Sequence, residues 1–307
     1  MKRLDYYWYT RSPWLVLLTP LSLIYRVLVS LRRSAYKIGI FRSTRVTVPV
    51  IVVGNITVGG TGKTPLVAWL AEYLLGKGYK PGIISRGYGG VSSNWPQQVR
   101  PDSDPAAVGD EAVLLAAKTG CPMSVAPDRV AAATALTEHS DCDVILSDDG
   151  LQHYALQRDI EIAVIDGVRR FGNGFLIPAG PLREPVSRLQ AVDLLVTNGL
   201  GNGQEHRLGM RQGDAHNLLD PDKVSALHDF RSQTVHAVAG IGNPERFFRS
   251  LQQAGLQLET HAFPDHFPFQ PDDIRFGDDR PVIMTEKDAV KCRHFATVND
   301  WYVPVEA

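Results

Sequence analysis

The feature that most restricts this chain is a β-branched run at 50–53 (Val-Ile-Val-Val) that ends in Gly54. It leads through Asn55-Ile56-Thr57-Val58 into Gly59-Gly60-Thr61-Gly62-Lys63-Thr64-Pro65. The run reads as a buried strand, and Pro49 stands just ahead of it, where a strand begins without losing a ladder hydrogen bond. Apolar residues at helical spacing follow over 64–75, with Pro65 tolerated in the first turn and Gly76 as a stop. Strand, glycine loop and helix in that order make a phosphate-binding loop. The glycines let backbone N–H groups turn inward around phosphate oxygens, and the helix N-terminus adds partial positive charge. Asn55, Thr57, Val58, Gly59, Gly60, Thr61, Gly62, Lys63 and Thr64 are therefore the candidate nucleotide-binding residues. Lys63 is expected at the β- and γ-phosphates, and the Thr64 hydroxyl on the magnesium ion that accompanies ATP. In the general pattern the first glycine falls where this chain has Thr57.

Short apolar runs recur at 82–85, 123–126, 144–147, 160–165 and 192–197, with helical stretches at 110–117 and 128–138. Strands alternating with helices of this length predict an α/β layer architecture on a mostly parallel sheet. The segment 199–222 is polar, glycine-rich and weakly periodic. Beyond it a second alternation begins: strand 235–239, helix 244–254, and strands at 256–263, 281–285 and near 301–305. The expected division is thus a kinase-like domain over 46–225 and a smaller α/β domain over 226–307, closing over the active site.

The first 45 residues hold nine bases (Lys2, Arg3, Arg11, Arg26, Arg32, Arg33, Lys37, Arg42, Arg45) and one acid, Asp5. Residues 14–30 are apolar but fall short of the ~20 that a spanning helix needs, and Pro20 and Arg26 interrupt them. No small-residue cleavage site follows, which argues against a signal peptide. Aromatic residues in front (Tyr6, Tyr7, Trp8, Tyr9, Trp14) and bases behind suit a helix lying at an anionic membrane surface. Residues 1–45 are therefore expected to be an amphipathic, membrane-associated helix; a single pass and a helix packed on the protein's own core are the alternatives. The whole chain carries a net charge of -1, which excludes a general nucleic-acid binder. Cys121, Cys142 and Cys292 are odd in number and widely spaced, form no metal pattern, and suggest a reducing compartment.

A second acidic element completes the nucleotide site. The run at 144–147 ends in Asp148-Asp149-Gly150, and a carboxylate at a strand's C-terminal end lies where ligands bind in open α/β sheets. Asp148 or Asp149 can hold magnesium, directly or through water; either can equally cap a turn.

Taken together, these motifs resemble the tetraacyldisaccharide 4'-kinase family, which acts in lipid A biosynthesis. The resemblance rests on the glycine loop, Ser85-Arg86-Gly87-Tyr88-Gly89, Gly109-Asp110-Glu111 and the Ser-Asp-Asp-Gly-Leu-Gln-His of 147–153. It continues through the Pro-Ala-Gly-Pro-Leu-Arg-Glu-Pro of 178–185, residues 239–248 and the Thr-Glu-Lys-Asp-Ala-Val-Lys of 285–291. It implies transfer of the ATP γ-phosphate to the 4'-hydroxyl of a tetraacylated disaccharide 1-phosphate, giving lipid IVA, at the cytoplasmic face of the bacterial inner membrane. It also implies that Asp110 accepts the hydroxyl proton, although Asp is equally a favoured helix N-cap, and that Glu111 serves the metal's outer sphere. By the same resemblance His266 reaches across a cleft to orient Asp110. Arg86, Tyr88, Arg183 and Asn243 are candidate substrate contacts, with bracing of a loop open for Arg183 and helix capping for Asn243. Gln152 and His153 stand between metal shell and scaffold. Thr285-Glu286-Lys287-Asp288 has the wrong spacing for guanine recognition and leaves a nucleotide-base or hinge role open. A membrane-anchored nucleotide switch and a soluble small-molecule kinase are the rival readings.

Overall fold

The computed structural model describes residues 4–10 and 13–307; Lys2, Arg3 and Arg11 of the basic segment lie outside the described residues. The chain forms two compact units. The first comprises residues 1–86, 95–98 and 121–209; the second comprises 87–94, 99–120 and 210–307.

The first unit opens with a short helix α1 (Leu4–Trp8), then a 3₁₀ turn (Pro13–Leu18) that runs into α2 (Thr19–Lys37). Strand β1 (Val50–Gly54), helix α3 (Lys63–Gly76), β2 (Pro81–Ser85) and β3 (Gln97–Val99) follow. After α4 (Pro105–Val108) and α5 (Asp110–Thr119), which lie in the second unit, come β4 (Met123–Val125), α6 (Arg129–His139) and β5 (Val144–Asp148). Strands β6 (Ile160–Asp166), β7 (Leu194–Asn198) and β8 (His206–Leu208) complete an eight-stranded sheet of order β3-β4-β2-β5-β1-β6-β7-β8. Its described pairings are parallel, as the unbroken Val/Ile/Leu runs foretell for strands covered on both faces. Val50, Val52, Ile84, Ala133, Ile145 and Leu151 share one buried cluster, where each large side chain contributes roughly 1.5–3 kcal/mol of burial. Because the strands run the same way, their C-terminal ends collect along one edge. That edge carries Asn55 after β1, Arg86 after β2, Asp148 at the end of β5, Asp166 at the end of β6 and Asn198 at the end of β7.

The second unit adds β9 (Arg211–Gln212), β10 (Ala215–Asn217), β11 (Val224–Ser225), β12 (Thr234–Ala239), α7 (Pro244–Gln253) and β13 (Gln257–Ala262). It ends with β14 (Val282–Thr285), α8 (Glu286–Cys292), β15 (Asp300–Val303) and β16 (Val305–Glu306). The six-stranded order is β11-β10-β15-β14-β12-β13, parallel across β13, β12, β14 and β15 and antiparallel at β10 and β11. Two clusters fill it, one around Phe247, Leu251 and Trp301, the other around Phe269, Ile274 and Met284.

This division differs from a single break near residue 225. The glycine-rich stretch 199–222 is not a linker: its first part adds β8 to the large sheet, and its later part pairs β10 with β15. Short strands of two or three residues carry too little periodicity to stand out in a sequence. Residues 87–94 and 99–120 also leave the first unit, carrying Asp110 with them.

Candidate active site

In the first unit the glycine loop wraps the start of α3. Gly62 occupies a left-handed conformation (φ +100°), and a Cβ built there would lie 2.8 Å from Asn198 Nδ2, so only glycine fits. Asn198 Nδ2 in turn donates to the Thr61 carbonyl at 3.1 Å. Asn55, fully buried, donates from Nδ2 to Thr57 Oγ1 at 3.3 Å and to the Gly59 carbonyl at 3.4 Å, while its Oδ1 accepts from Lys63 Nζ at 3.3 Å. Thr57, the departure from the general pattern, bridges antiparallel to Leu182, and Val58 N donates to Pro181 O at 2.8 Å. The proline-rich 178–185 motif is thus a brace for the loop's entry, and it delivers Arg183.

Arg183 Nη1 binds Asp149 at 2.9 and 3.1 Å, and Lys63 Nζ lies 3.6 Å from the same carboxylate. Burial raises Asp149, but Lys63, Arg183 and Arg129 outweigh it and bring its pKa down to about 2. It is ionised throughout the physiological range. Asp149 is held at φ +49°, a left-handed conformation costing roughly 1 kcal/mol or more in a non-glycine residue. Asp148, buried at the end of β5, is in register with Val53 at the end of β1. Asp148 at the end of β5, Asp149 directly after it and Thr64 in the first turn of α3 offer oxygen donors of the hard kind Mg²⁺ takes, so the donor chemistry fits that ion. Arg129, also buried, was not singled out in the sequence. Its guanidinium donates to the carbonyls of Ala126, Asp148 and Asp149 at 3.1–3.4 Å and fixes the aspartate turn.

Gln152 and His153 are both hydrogen-bonded into the protein framework. Gln152 Nε2 donates to Asn55 O and to Glu184, both at 3.0 Å; Glu184 also accepts from the Tyr154 hydroxyl. His153 Nε2 accepts from Arg129 N at 3.2 Å, and burial with the nearby Arg129 charge drives its pKa down to about 4, so it is neutral. Arg86 is exposed at the C-terminal end of β2.

The second unit holds a separate constellation. Gly109, at φ +93°, has Tyr88 O only 2.6 Å from where a Cβ would stand, which explains a glycine before Asp110. Asp110 is the first residue of α5 rather than its N-cap, and its Oδ1 accepts from Glu111 N at 2.8 Å. His266 Nδ1 lies 3.0 and 3.1 Å from its two carboxylate oxygens. Asp110 and His266 therefore meet within one compact unit, not across a cleft, because residues 99–120 pack with the C-terminal half of the chain. His266 sits at φ +59°, with the Tyr88 ring 5.0 Å away. Burial raises Asp110, but the His266 bond and the charges of Lys287, His266 and Lys291 prevail and leave it below its ordinary value. The Asp110 bond raises His266 above its own, against burial and Lys287.

Lys287 and Lys291, four apart on α8, were missed as site residues. Lys287 Nζ contacts Glu111 at 2.9 Å, Asp265 at 3.2 Å and His266 Nε2 at 3.4 Å; Lys291 Nζ stands 3.8 Å from Asp110 and 2.8 Å from Asp288. Glu111, expected in the metal's outer sphere, is held by Lys287. Asp288, fully buried, accepts from Gly240 N and Thr285 Oγ1, so the 285–288 motif ties α8 to two strands. The spacing of the two lysines, one helical turn, was the available signal. A cavity of about 890 Å³ opens beside the dyad, lined by Val91, Asp110, Val113, His266, Phe269 and Lys291 among others. Asn243 stands at the N-cap of α7 without a side-chain capping bond.

Comparison with known proteins agrees with this chemistry. Residues 14–307 match the family described as Tetraacyldisaccharide-1-P 4'-kinase. A Nitrosococcus oceani protein named tetraacyldisaccharide 4'-kinase is 59% identical over 300 residues, spanning 98% of this chain and 88% of the relative. One of the same name from Alkalilimnicola ehrlichii is 52% identical over 309 residues, spanning 100% and 93%. A crystal structure of LpxK from Aquifex aeolicus in complex with ATP is similar with a TM-score of 0.79 at 26% identity, covering 95% of this chain and 94% of that one. With a phosphate loop and a carboxylate–histidine dyad already in place, this chain belongs to the tetraacyldisaccharide-1-phosphate 4'-kinase family.

Proposed function

We propose that this chain transfers the γ-phosphate of ATP to the 4'-hydroxyl of tetraacyldisaccharide 1-phosphate, forming lipid IVA at the cytoplasmic face of the bacterial inner membrane. The observation that carries the chemistry is the Asp110–His266 pair. A sugar hydroxyl is a poor nucleophile and needs a positioned base. Asp110, held below its ordinary pKa, is ionised and can only accept, so the Nδ1 proton belongs to His266 and points at it. Nε2 then carries the lone pair, consistent with a Lys287 ammonium 3.4 Å away. We assign proton acceptance to His266 Nε2 and the orienting and charge-balancing part to Asp110. This reverses the parts expected from sequence while keeping the same two residues. As the hydroxyl oxygen bonds to the γ-phosphorus, its proton passes to Nε2 and the bond from phosphorus to the β,γ-bridging oxygen breaks, leaving ADP.

Lys63 and the loop N–H groups would hold the β- and γ-phosphates. Thr64, Asp148 and Asp149 would hold Mg²⁺, which when bound offsets phosphate charge. On binding nucleotide, Asp149 would exchange part of its contact with Lys63 and Arg183 for the ion, freeing both cations for phosphate oxygens. Arg86 and Tyr88 remain candidate acceptor contacts; the apolar and basic cavity beside the dyad suits an acylated sugar phosphate.

Membrane attachment is supported by α2. The 3₁₀ turn and α2 together make a helical stretch, Pro13–Lys37, of 25 residues that is long and apolar enough to cross a membrane. Trp14, Leu17, Leu21, Leu28 and Leu31 are exposed, while Leu15 and Ser22 face the protein and Ser22 Oγ donates to Leu176 O at 2.7 Å. An exposed apolar face of this size on a protein anchored by its other face calls for lipid.

The test is transfer of labelled phosphate from ATP to tetraacyldisaccharide 1-phosphate presented in mixed micelles. Transfer should be lost in Lys63→Ala and His266→Ala. Absence of transfer by the unmodified chain to this acceptor would sink the reading.

A further inference from the structure

Two consecutive arginines leave the end of β6, and the fold treats them oppositely. The Asp166 carboxylate accepts from the backbone N–H groups of Val168 and Arg169, both at 2.9 Å, and so fixes the turn. Arg170 takes a left-handed conformation (φ +46°) and sends its guanidinium to Glu205 in a bidentate pair, 2.8 Å at each contact. That arginine is neutralised. Arg169 points elsewhere. Its guanidinium carbon lies 5.4 Å from the centroid of the Tyr9 ring, and a Cβ built on Gly59 would stand 3.8 Å from its Nη1. Among the described residues it forms no ion pair with a carboxylate.

The surroundings make this placement more than a wandering surface side chain. Strand β6 is the immediate neighbour of β1, so its C-terminal turn stands beside the glycine loop by topology. The three non-glycine residues with left-handed backbone among the described residues are Asp149, Arg170 and His266. The first holds Lys63 and the last holds Asp110; the second is the turn that separates Arg169 from its paired neighbour. The stacking partner is itself anchored. Trp8 Nε1 donates to Pro178 O at 3.0 Å, and Asn173 N donates to Trp8 O at 3.0 Å, so the backbone leading into Tyr9 is tied to the brace of the glycine loop.

Resting on the kinase reading above, we propose that Arg169 is a further triphosphate-binding residue, held over Tyr9 at the mouth of the glycine loop to contact phosphate oxygens of bound ATP. An arginine fork suits phosphate geometry, and a guanidinium stacked on an aromatic ring loses less freedom on binding. Tyr9 is the positioning residue. It lies in the same N-terminal segment that carries the membrane-facing helix, so the part of the chain nearest the lipid surface also sets a nucleotide contact.

Calorimetric titration of ATP into the full-length protein in detergent tests this without any acceptor. Arg169→Ala should weaken ATP binding at least tenfold, and Arg169→Lys should recover part of that loss. Arg169→Gln, which keeps the side chain's bulk, should behave as Arg169→Ala if that variant melts early. Tyr9→Leu should weaken ATP binding about threefold, whereas Tyr9→Phe, which keeps the ring, should match the unmodified chain. ATP affinity within twofold of the unmodified chain in both Arg169→Ala and Arg169→Gln would overturn the assignment; an unchanged Tyr9→Leu would overturn the positioning part. Lys63→Ala separates the two levels. If it also retains full ATP affinity, the kinase reading fails as a whole; if it loses affinity and the Arg169 variants do not, only this inference fails.

Discussion

Asp110 and His266 stabilise one another in opposite protonation windows. His266 is raised, so its contribution to folding is complete below its ordinary value near 6.5 and is lost as pH climbs through the raised value. Asp110 is depressed, so its contribution is present above its ordinary range and is lost as pH falls through the lowered value. For catalysis the sign is different, because the base must be neutral. The acid limb of kcat against pH should therefore have its midpoint above about 6.5. Asp110→Asn removes the bond that raises the imidazole and should move that limb to lower pH, and His266→Ala should lower kcat by roughly 10²–10⁴-fold. A limb that stays in place in Asp110→Asn would show that another group titrates. The glycine loop yields a second prediction at this scale. Gly62→Ala introduces a methyl 2.8 Å from Asn198 Nδ2 in a left-handed backbone. It should cost about 1–2 kcal/mol in chemical denaturation and weaken ATP binding as well.

At the level of elements, strand ends and helix starts do most of the positioning. Strands β1 and β5 bring the glycine loop and the paired aspartates to one sheet edge, and α8 turns two lysines toward α5. Behind the brace lies a buried ion cluster. Arg188, 2% exposed, binds Glu161 at 2.5 and 2.6 Å, and Glu161 also accepts from Arg158 at 2.9 Å. Removing one partner leaves a buried charge unpaired, so Glu161→Ala should destabilise the fold by roughly 3–5 kcal/mol, read as a lower denaturation midpoint. The exposed face of α2 behaves differently, since its apolar residues touch little of the protein. Replacing Leu21, Leu28 and Leu31 together with glutamate should abolish co-flotation with anionic vesicles while moving Tm by only a degree or two. Vesicle binding that survives the triple substitution would remove α2 as the anchor.

For the whole molecule, ATP is a folding ligand as well as a substrate. Saturation at 100 times Kd should add about 2.7 kcal/mol of stability, seen as a raised melting temperature that Lys63→Ala abolishes. The proposed catalytic residues belong to two units, the phosphate loop and aspartates to one and the Asp110–His266 pair to the other. Much of this was legible in the chain. A β-branched run, a glycine loop and an amphipathic segment in fixed order determine a strand, a phosphate cradle and a helix, because those preferences act over neighbouring residues. Lys63, Asp148 and Asp149 could be named as candidates for the same reason, since each sits in a short motif, whereas Asp110 and His266 were named only through the family resemblance. What tertiary structure alone decided is which distant groups meet. That Arg183 braces Asp149, that His153 is neutral and bonded to the Arg129 backbone, that Lys287 and Lys291 surround the dyad, and that Asp110 shares a unit with His266 all depend on contacts between residues 21 to 181 positions apart. Local sequence carries no record of such pairings, since the energy that fixes them comes from burial and charge compensation once the sheets have closed.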